Sequence, residues 1–227
     1  MRKIIITGSE GIIGSSLINE FKDKDVQIAC FDKDLGHDLS NEKEVIDLMK
    51  DHEDYQYLIN LFALNDHVIK GKNKSNLFDI DLDSITDYCN INLVSLFSVC
   101  RAFAKFCNAT SIVNFSSLYG VLSPKKYIYD KNNEKHIGYT ITKHGVIGLS
   151  RHLSTHISPI RVNCIVPGGV ETIDQSEDFK LKYNKNVPLG RMLKANELFG
   201  IINLLCSDKS SYINGSIINV DGGWTSW

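Results

Sequence analysis

The sequence predicts a doubly wound α/β fold, in which helices cover both faces of a parallel sheet. Three observations carry this. Apolar runs of strand length alternate with segments of helical period almost from end to end. A loop with three glycines follows the first strand and opens the first helix. The composition, with 43% hydrophobic and 23% charged residues in 227, is that of an ordinary globular chain able to bury one sizeable core.

Residues 3–7 form a short β-rich run, and Ile13, Leu17 and Phe21 then recur at helical spacing through about residue 22. Residues 26–31 read as the second strand. Asp38, Leu39 and Ser40 offer caps for a helix whose apolar stripe is Val45, Leu48 and Met49. Residues 57–62 are a third apolar run, followed by a polar, irregular stretch. A long helix over 84–108, a strand over 111–115 and a polar loop over 120–138 come next. A helix over 139–156, a strand over 160–166, a helix over 195–207 and a strand over 216–220 complete the alternation. No repeat or linker interrupts it, so residues 1–227 are predicted to be one domain.

The net charge of −2 is spread along the chain and argues against a nucleic-acid-binding face. No apolar run reaches bilayer-crossing length, and the apolar run after Met1-Arg2-Lys3 is too short for a signal peptide. The six cysteines show neither a CxxC pair nor zinc-finger spacing. They are expected to be small buried hydrophobes in a reducing cytoplasm, with no metal site.

The first loop reads Thr7-Gly8-Ser9-Glu10-Gly11-Ile12-Ile13-Gly14. In a strand–loop–helix the first glycine makes the tight turn and the second admits a pyrophosphate. The third lets helix and strand pack closely, with the phosphates at the helix N-terminus. Gly8, Ser9, Glu10, Gly11, Ile13 and Gly14 are therefore candidate dinucleotide contacts in a Rossmann-like domain. Asp32 ends the second strand, where a carboxylate accepts from both ribose hydroxyls and repels a 2′-phosphate, which favours NAD over NADP. Lys33 beside it is the one feature that could tolerate the phosphate.

Tyr139 and Lys143 stand four residues apart, on one face of the same helix. A phenol is a poor acid or base at neutral pH, and a nearby ammonium lowers its pKa by stabilising the phenolate. Upstream lies Asn114-Phe115-Ser116-Ser117, and downstream come Pro167-Gly168-Gly169-Val170-Glu171-Thr172 and Asn219-Val220-Asp221-Gly222-Gly223. With this set in this order, nearly the whole chain resembles the short-chain dehydrogenase/reductase family. The resemblance implies a hydride transfer between nicotinamide and a carbonyl or alcohol carbon. It implies Tyr139 as acid/base, Lys143 as its partner and ribose ligand, and Ser117 as the hydroxyl that polarises the substrate oxygen, with Ser116 as runner-up. Asn92, ahead of Asn90, would complete a water relay to the lysine. Asn60 and Ala63 would follow the third strand beside the cofactor. Pro167, Gly168, Val170 and Thr172 would line the nicotinamide, and Asp38 and Leu39 would contact adenine.

Three departures from the family pattern matter. The glycines follow GxxGxxG, a spacing of the family's extended branch, while the C-terminal half looks like the ordinary branch. Asp38 follows Asp32 by only six positions, with no apolar run between them, so the sheet is expected to lack one edge strand after residue 32. Ala63 stands where the family has glycine, which adds a methyl group near the cofactor.

Between Ser117 and Tyr139 an insert carries four lysines against two acids, which suits a small polar substrate. A similarity of residues 116–130 to reductases of bacterial surface-sugar pathways points to a carbohydrate. The alternatives are a 3-oxoacyl-thioester reductase, which would prefer NADPH, and a non-catalytic NAD(H)-sensing relative. The segment between Thr172 and Pro188 is short, implying an open pocket. His37 and His144 are expected at the surface. The apolar faces of the helices carrying Asn92 and Tyr139, with Trp224 and Trp227, are consistent with a homodimer or homotetramer.

Overall fold

In a computed structural model of the chain, residues 1–22, 24–65, 77–78, 80–129 and 134–227 are described. Six parallel strands form one sheet: β1 (Arg2–Thr7), β2 (Val26–Phe31), β3 (Tyr57–Asn60), β4 (Ser111–Phe115), β5 (Arg161–Pro167) and β6 (Ile217–Val220). Their order is β2-β1-β3-β4-β5-β6. The sheet is wound outward in both directions from β1 and β3, so the loops after these two strands diverge and leave a crevice at their carboxyl ends. The four central strands are buried on both faces, as crossover helices require.

The helices are α1 (Ile12–Phe21), α2 (Glu42–Lys50), α3 (Leu82–Cys89), α4 (Leu96–Phe106), α5 (Ile137–His156), α6 (Glu177–Asn184) and α7 (Phe199–Leu205). One apolar core joins a sheet face to α2, α4 and α5 through Val45, Met49, Val99, Phe103, Val146 and Leu153. A second joins the other face to α1 and α7 through Leu17, Phe21, Ile202 and Leu205. No helix among the described residues is long and apolar enough to cross a membrane.

Beyond β2 the chain takes a single 3-10 turn over Lys33–Leu35, closed by Gly36 at φ 87°, and runs on to α2. That leaves β2 as the sheet edge, in the place where the missing strand was expected. Three boundaries differ from expectation. The cap of α2 is Asn41, whose side chain accepts from the amides of Lys43 and Glu44, rather than residues 38–40. The long helix runs from 82 to 106 but widens into a π turn over Asn90–Ser95 between α3 and α4. Helix α6 lies in the segment read as a short open stretch, with Ser176 accepting from the Phe179 amide at its start. All six cysteines are free, and Cys100, Cys164 and Cys206 are buried.

Candidate active site

The glycine loop is shaped by close backbone packing. Gly8 sits at φ 71°, and a Cβ there would fall 2.5 Å from the Phe62 nitrogen. A Cβ on Gly14 would lie 2.5 Å from the carbonyl oxygens of both Gly8 and Ser9, so only glycine lets α1 start this close to β1. Gly11 caps α1 without any side-chain acceptor, and no acidic residue occupies its first turn. The helix N-terminus is therefore left to an external anion.

Asp32 is buried at the end of β2 and is already structural. One carboxylate oxygen accepts from the Glu10 amide and the other from the Asp34 amide, each at 3.0 Å. It thus ties the glycine loop to the turn after β2, and each oxygen keeps a second lone pair for a ribose hydroxyl. Behind it, His37 takes the Asp32 amide on Nδ1 at 3.4 Å and packs its ring on Phe31. His37 is half-buried and part of this corner, not the surface residue expected; His144 is exposed.

The two residues of the expected adenine pair sit differently. Leu39 is buried in the core beside Val45 and Met49, because the shortened connection pulls it under α2. Asp38 is exposed, and its carboxylate accepts from the amide and hydroxyl of Ser40, which holds it below the usual carboxylate range. Asn60 is also occupied: its Oδ1 accepts from Thr7 Oγ1 and its Nδ2 donates to Asn114 Oδ1 at 2.9 Å. Asn114 in turn donates to Ser150 on α5, so the side chain of Asn60 belongs to a polar thread through the sheet. Ala63 lies in the half-buried loop just beyond.

Tyr139 and Lys143 lie on the first turns of α5, which packs across β4 and β5. Lys143 is buried. Its Nζ donates to the Phe115 carbonyl at 2.9 Å and lies 5.6 Å from the Tyr139 ring centre. Burial pushes the ammonium down to about 8. Burial also pushes the Tyr139 phenol up, and hydrogen bonding with the Ser117 side chain works against that.

The geometry separates the two serines. Ser116 donates to the Lys143 carbonyl at 2.7 Å and is fixed on α5, whereas Ser117 lies beside the phenol. A Cβ on Gly120 would meet Ser116 Oγ at 2.1 Å, so that glycine makes room for the Ser116 anchor.

Asn92 sits in the π turn and is buried. Its Oδ1 accepts from the Leu64 amide at 2.7 Å, and its Nδ2 donates to the Leu64 carbonyl and to Thr142 Oγ1. Its side chain therefore fastens the loop after β3 to α5.

Beyond β5, Gly168 passes close to Asp221, and the Gly169 amide donates to the hydroxyl of Tyr183 on α6. Val170 bridges to Leu193 in parallel fashion, and the Thr172 amide donates to Gln175 Oε1. Among the described residues, the buried Thr172 hydroxyl has no hydrogen-bond partner. An unsatisfied buried hydroxyl is costly, which marks it as a place for a ligand's polar group. With the glycine cradle and the uncapped helix, the chain fits a dinucleotide.

Residues 15–225 match the enoyl-(acyl carrier protein) reductase family pattern. This chain belongs to the short-chain dehydrogenase/reductase family. It is 34% identical to the 3-oxoacyl-[acyl-carrier-protein] reductase FabG of Chlamydia trachomatis over 59% of this chain and 54% of that protein. It is 29% identical to post-translational flagellin modification protein A of Campylobacter coli, over 68% of this chain and 62% of that protein. The chain thus spans about half the length of the curated relatives it matches. Among solved structures, a short-chain dehydrogenase from Leptospira borgpetersenii with bound NAD+ superposes with a TM-score of 0.86 at 26% identity, covering 99% of this chain and 92% of that one.

The tertiary structure also adds residues that sequence reasoning missed. Tyr183 and Lys135 stand next to the candidate site, and neither carries a local signal. The basic insert is partly spent on structure: Lys125 donates to Asn186 and covers the Trp224 ring, and Lys126 pairs with Glu134. Asp130 and Lys131 fall outside the described residues. Trp224 is buried against Tyr183, while Trp227 is exposed.

Proposed function

We propose that this short-chain dehydrogenase/reductase is an NAD-dependent oxidoreductase. Its substrate would be a small polar carbonyl or alcohol, a sugar or sugar derivative. The observation that carries the reading is the meeting of Tyr139, Ser117 and Lys143 near the carboxyl end of β4, one crevice away from the glycine loop tied by Asp32. NAD, when bound, supplies or accepts the hydride. Gly8, Gly11 and Gly14 would cradle its phosphates and Asp32 its ribose, while Pro167, Gly168, Val170 and the free hydroxyl of Thr172 would face its nicotinamide.

The chain's own residues do the rest. Tyr139 Oη gives a proton to the substrate oxygen in reduction or takes one in oxidation. Ser117 Oγ donates a hydrogen bond to that same oxygen and holds the reacting carbon in place. Lys143, as an ammonium below about pH 8, lowers the cost of the phenolate. Asn92 acts by holding the loop at Leu64 and the face of α5 at Thr142 in one arrangement.

The lysines of the insert before Tyr139, with Lys135 over the Tyr139 ring, support a small polar substrate. The FabG relatives support a second reading, reduction of a 3-oxoacyl thioester. Titrating NADH and NADPH into the purified chain, followed by nicotinamide fluorescence, separates them. Tight NADH with weak NADPH, and turnover of sugars or sugar phosphates lost in Tyr139→Phe, supports the first. Preference for NADPH with turnover of acetoacetyl thioesters supports the second. Binding of neither cofactor overturns both. The exposed Val94, Phe97 and Ile141 on the helices around the site support a homo-oligomer, and a light-scattering mass of one chain would refute it.

A further inference from the structure

We propose that Lys135 is a second cation of this site, a positioning residue that acts through Tyr139 by favouring its phenolate. The proposal rests on the reading of Tyr139 as the acid/base group. Lys135 Nζ lies 3.9 Å from the centre of the Tyr139 ring, nearer than Lys143 at 5.6 Å. The phenol is thus flanked by an ammonium from its own helix and by another from the segment leading into that helix.

Two clamps hold Lys135 in place. On one side its Nζ donates to Asn65 Oδ1, and Asn65 follows Leu64, whose amide and carbonyl are both bound by Asn92. On the other side the next residue, His136, is buried. It accepts from the Gly138 amide at 3.0 Å, contacts Ser84 Oγ at 3.0 Å and stacks on Tyr88 at 4.5 Å between ring centres. The segment is therefore anchored to α3 and to the loop after β3, and it presents Lys135 to the ring.

The surroundings of Tyr139 give this cation its importance. Packed against the phenol are Ser117, Tyr119 and Tyr129. The hydroxyls of Tyr119 and Tyr129 bond to each other at 2.7 Å, and burial pushes both phenols up, Tyr119 to about 12. These groups are neutral and shed water, so they oppose the phenolate. Among the described residues, the charges facing Tyr139 are those of Lys143 and Lys135. Phenolate charge spreads into the ring, so a cation over the ring face acts on it whatever direction the O–H points. A unit charge a few ångströms away in a partly wet site lowers a pKa by about one unit or more.

The test needs neither cofactor nor substrate. The full chain carrying tyrosine labelled with 13C at Cζ is titrated by NMR from about pH 6 to about pH 11, and Tyr139 is assigned from the signal lost in Tyr139→Phe. Lys135→Met should raise the Tyr139 midpoint by about one pH unit, while Lys135→Arg should keep it near the wild-type value. Lys135→Gln, which retains an amide able to reach Asn65, should shift it as the Met variant does. A Met or Gln variant that titrates with wild type overturns the proposal, as does an Arg variant that fails to restore the midpoint. A wild-type Tyr139 that does not titrate within the range overturns it too. If the midpoints move as expected but no cofactor binds, the proposed reaction fails and this assignment stands. Turnover with unmoved midpoints has the opposite meaning.

Discussion

Replacing Lys143 with methionine should make this protein more stable at neutral pH while abolishing the proposed oxidoreductase activity. The ammonium is buried, and among the described residues its one hydrogen bond is to the Phe115 carbonyl and no salt bridge reaches it. Burial moves its pKa from 10.5 to about 8. A folded pKa below the unfolded one means that the unfolded chain binds more protons between these values, so stability rises with pH across that window. Below about pH 8 the charged lysine carries the full penalty, ~3 kcal/mol at 1.36 kcal/mol per unit. Methionine keeps most of the apolar stem and removes the charge, at the loss of a hydrogen bond worth ~1 kcal/mol. The net gain of ~2 kcal/mol at pH 7 corresponds to a melting temperature higher by roughly 4–8 °C. The gain should fade or reverse as the pH approaches about 10.5, where lysine is neutral in both states. Thermal melts of the two proteins across this range test it. A methionine variant less stable than wild type at pH 7, or a difference that does not change with pH, would refute the reasoning.

Four further outcomes follow from the site. Gly14→Ala should lower stability by about 1–3 kcal/mol, because its Cβ would meet two backbone carbonyls at 2.5 Å. Gly11→Ala, with its nearest neighbour at 3.4 Å, should melt like wild type and weaken only NADH binding, read by fluorescence titration. Thr172→Val removes a buried hydroxyl that has no partner among the described residues, so the cofactor-free chain should be as stable or more so, while NADH affinity falls by about 5–10-fold. Tyr139→Phe should cut turnover by at least about 100-fold and leave the NADH dissociation constant nearly unchanged, since in the proposed reaction the hydroxyl serves the proton transfer; a large loss of binding would place its role in the cofactor site instead.

Much of this protein is determined by its sequence alone, because the relevant forces act over a few residues. The first strand follows from the apolar run Ile4-Ile5-Ile6, and the Tyr139–Lys143 pairing follows from helical spacing. The glycine loop and the missing edge strand are equally local, one set by backbone sterics and the other by a connection too short to hold a strand. Helix α6 escaped notice because its sequence, EDFKLKYN, is mostly polar; it is held instead by Tyr183 and Phe179 against Trp224 and Tyr129. The π turn is legible only once Asn92 is seen bonding Leu64 from across the crevice.

Which polar side chains are free was decided by tertiary structure. Asn60 is consumed by Thr7 and Asn114 on neighbouring strands, Leu39 is drawn into the core, and Ser116 is locked on α5 while Ser117 is left beside the phenol. Lys135 lies four residues before Tyr139 but outside the helix, so no periodicity places its ammonium over the ring. Its position comes from His136 against Tyr88 and from Asn65 across the crevice. Residue types and local spacing state which chemistry is available, whereas long-range packing and hydrogen bonding select the atoms left to perform it.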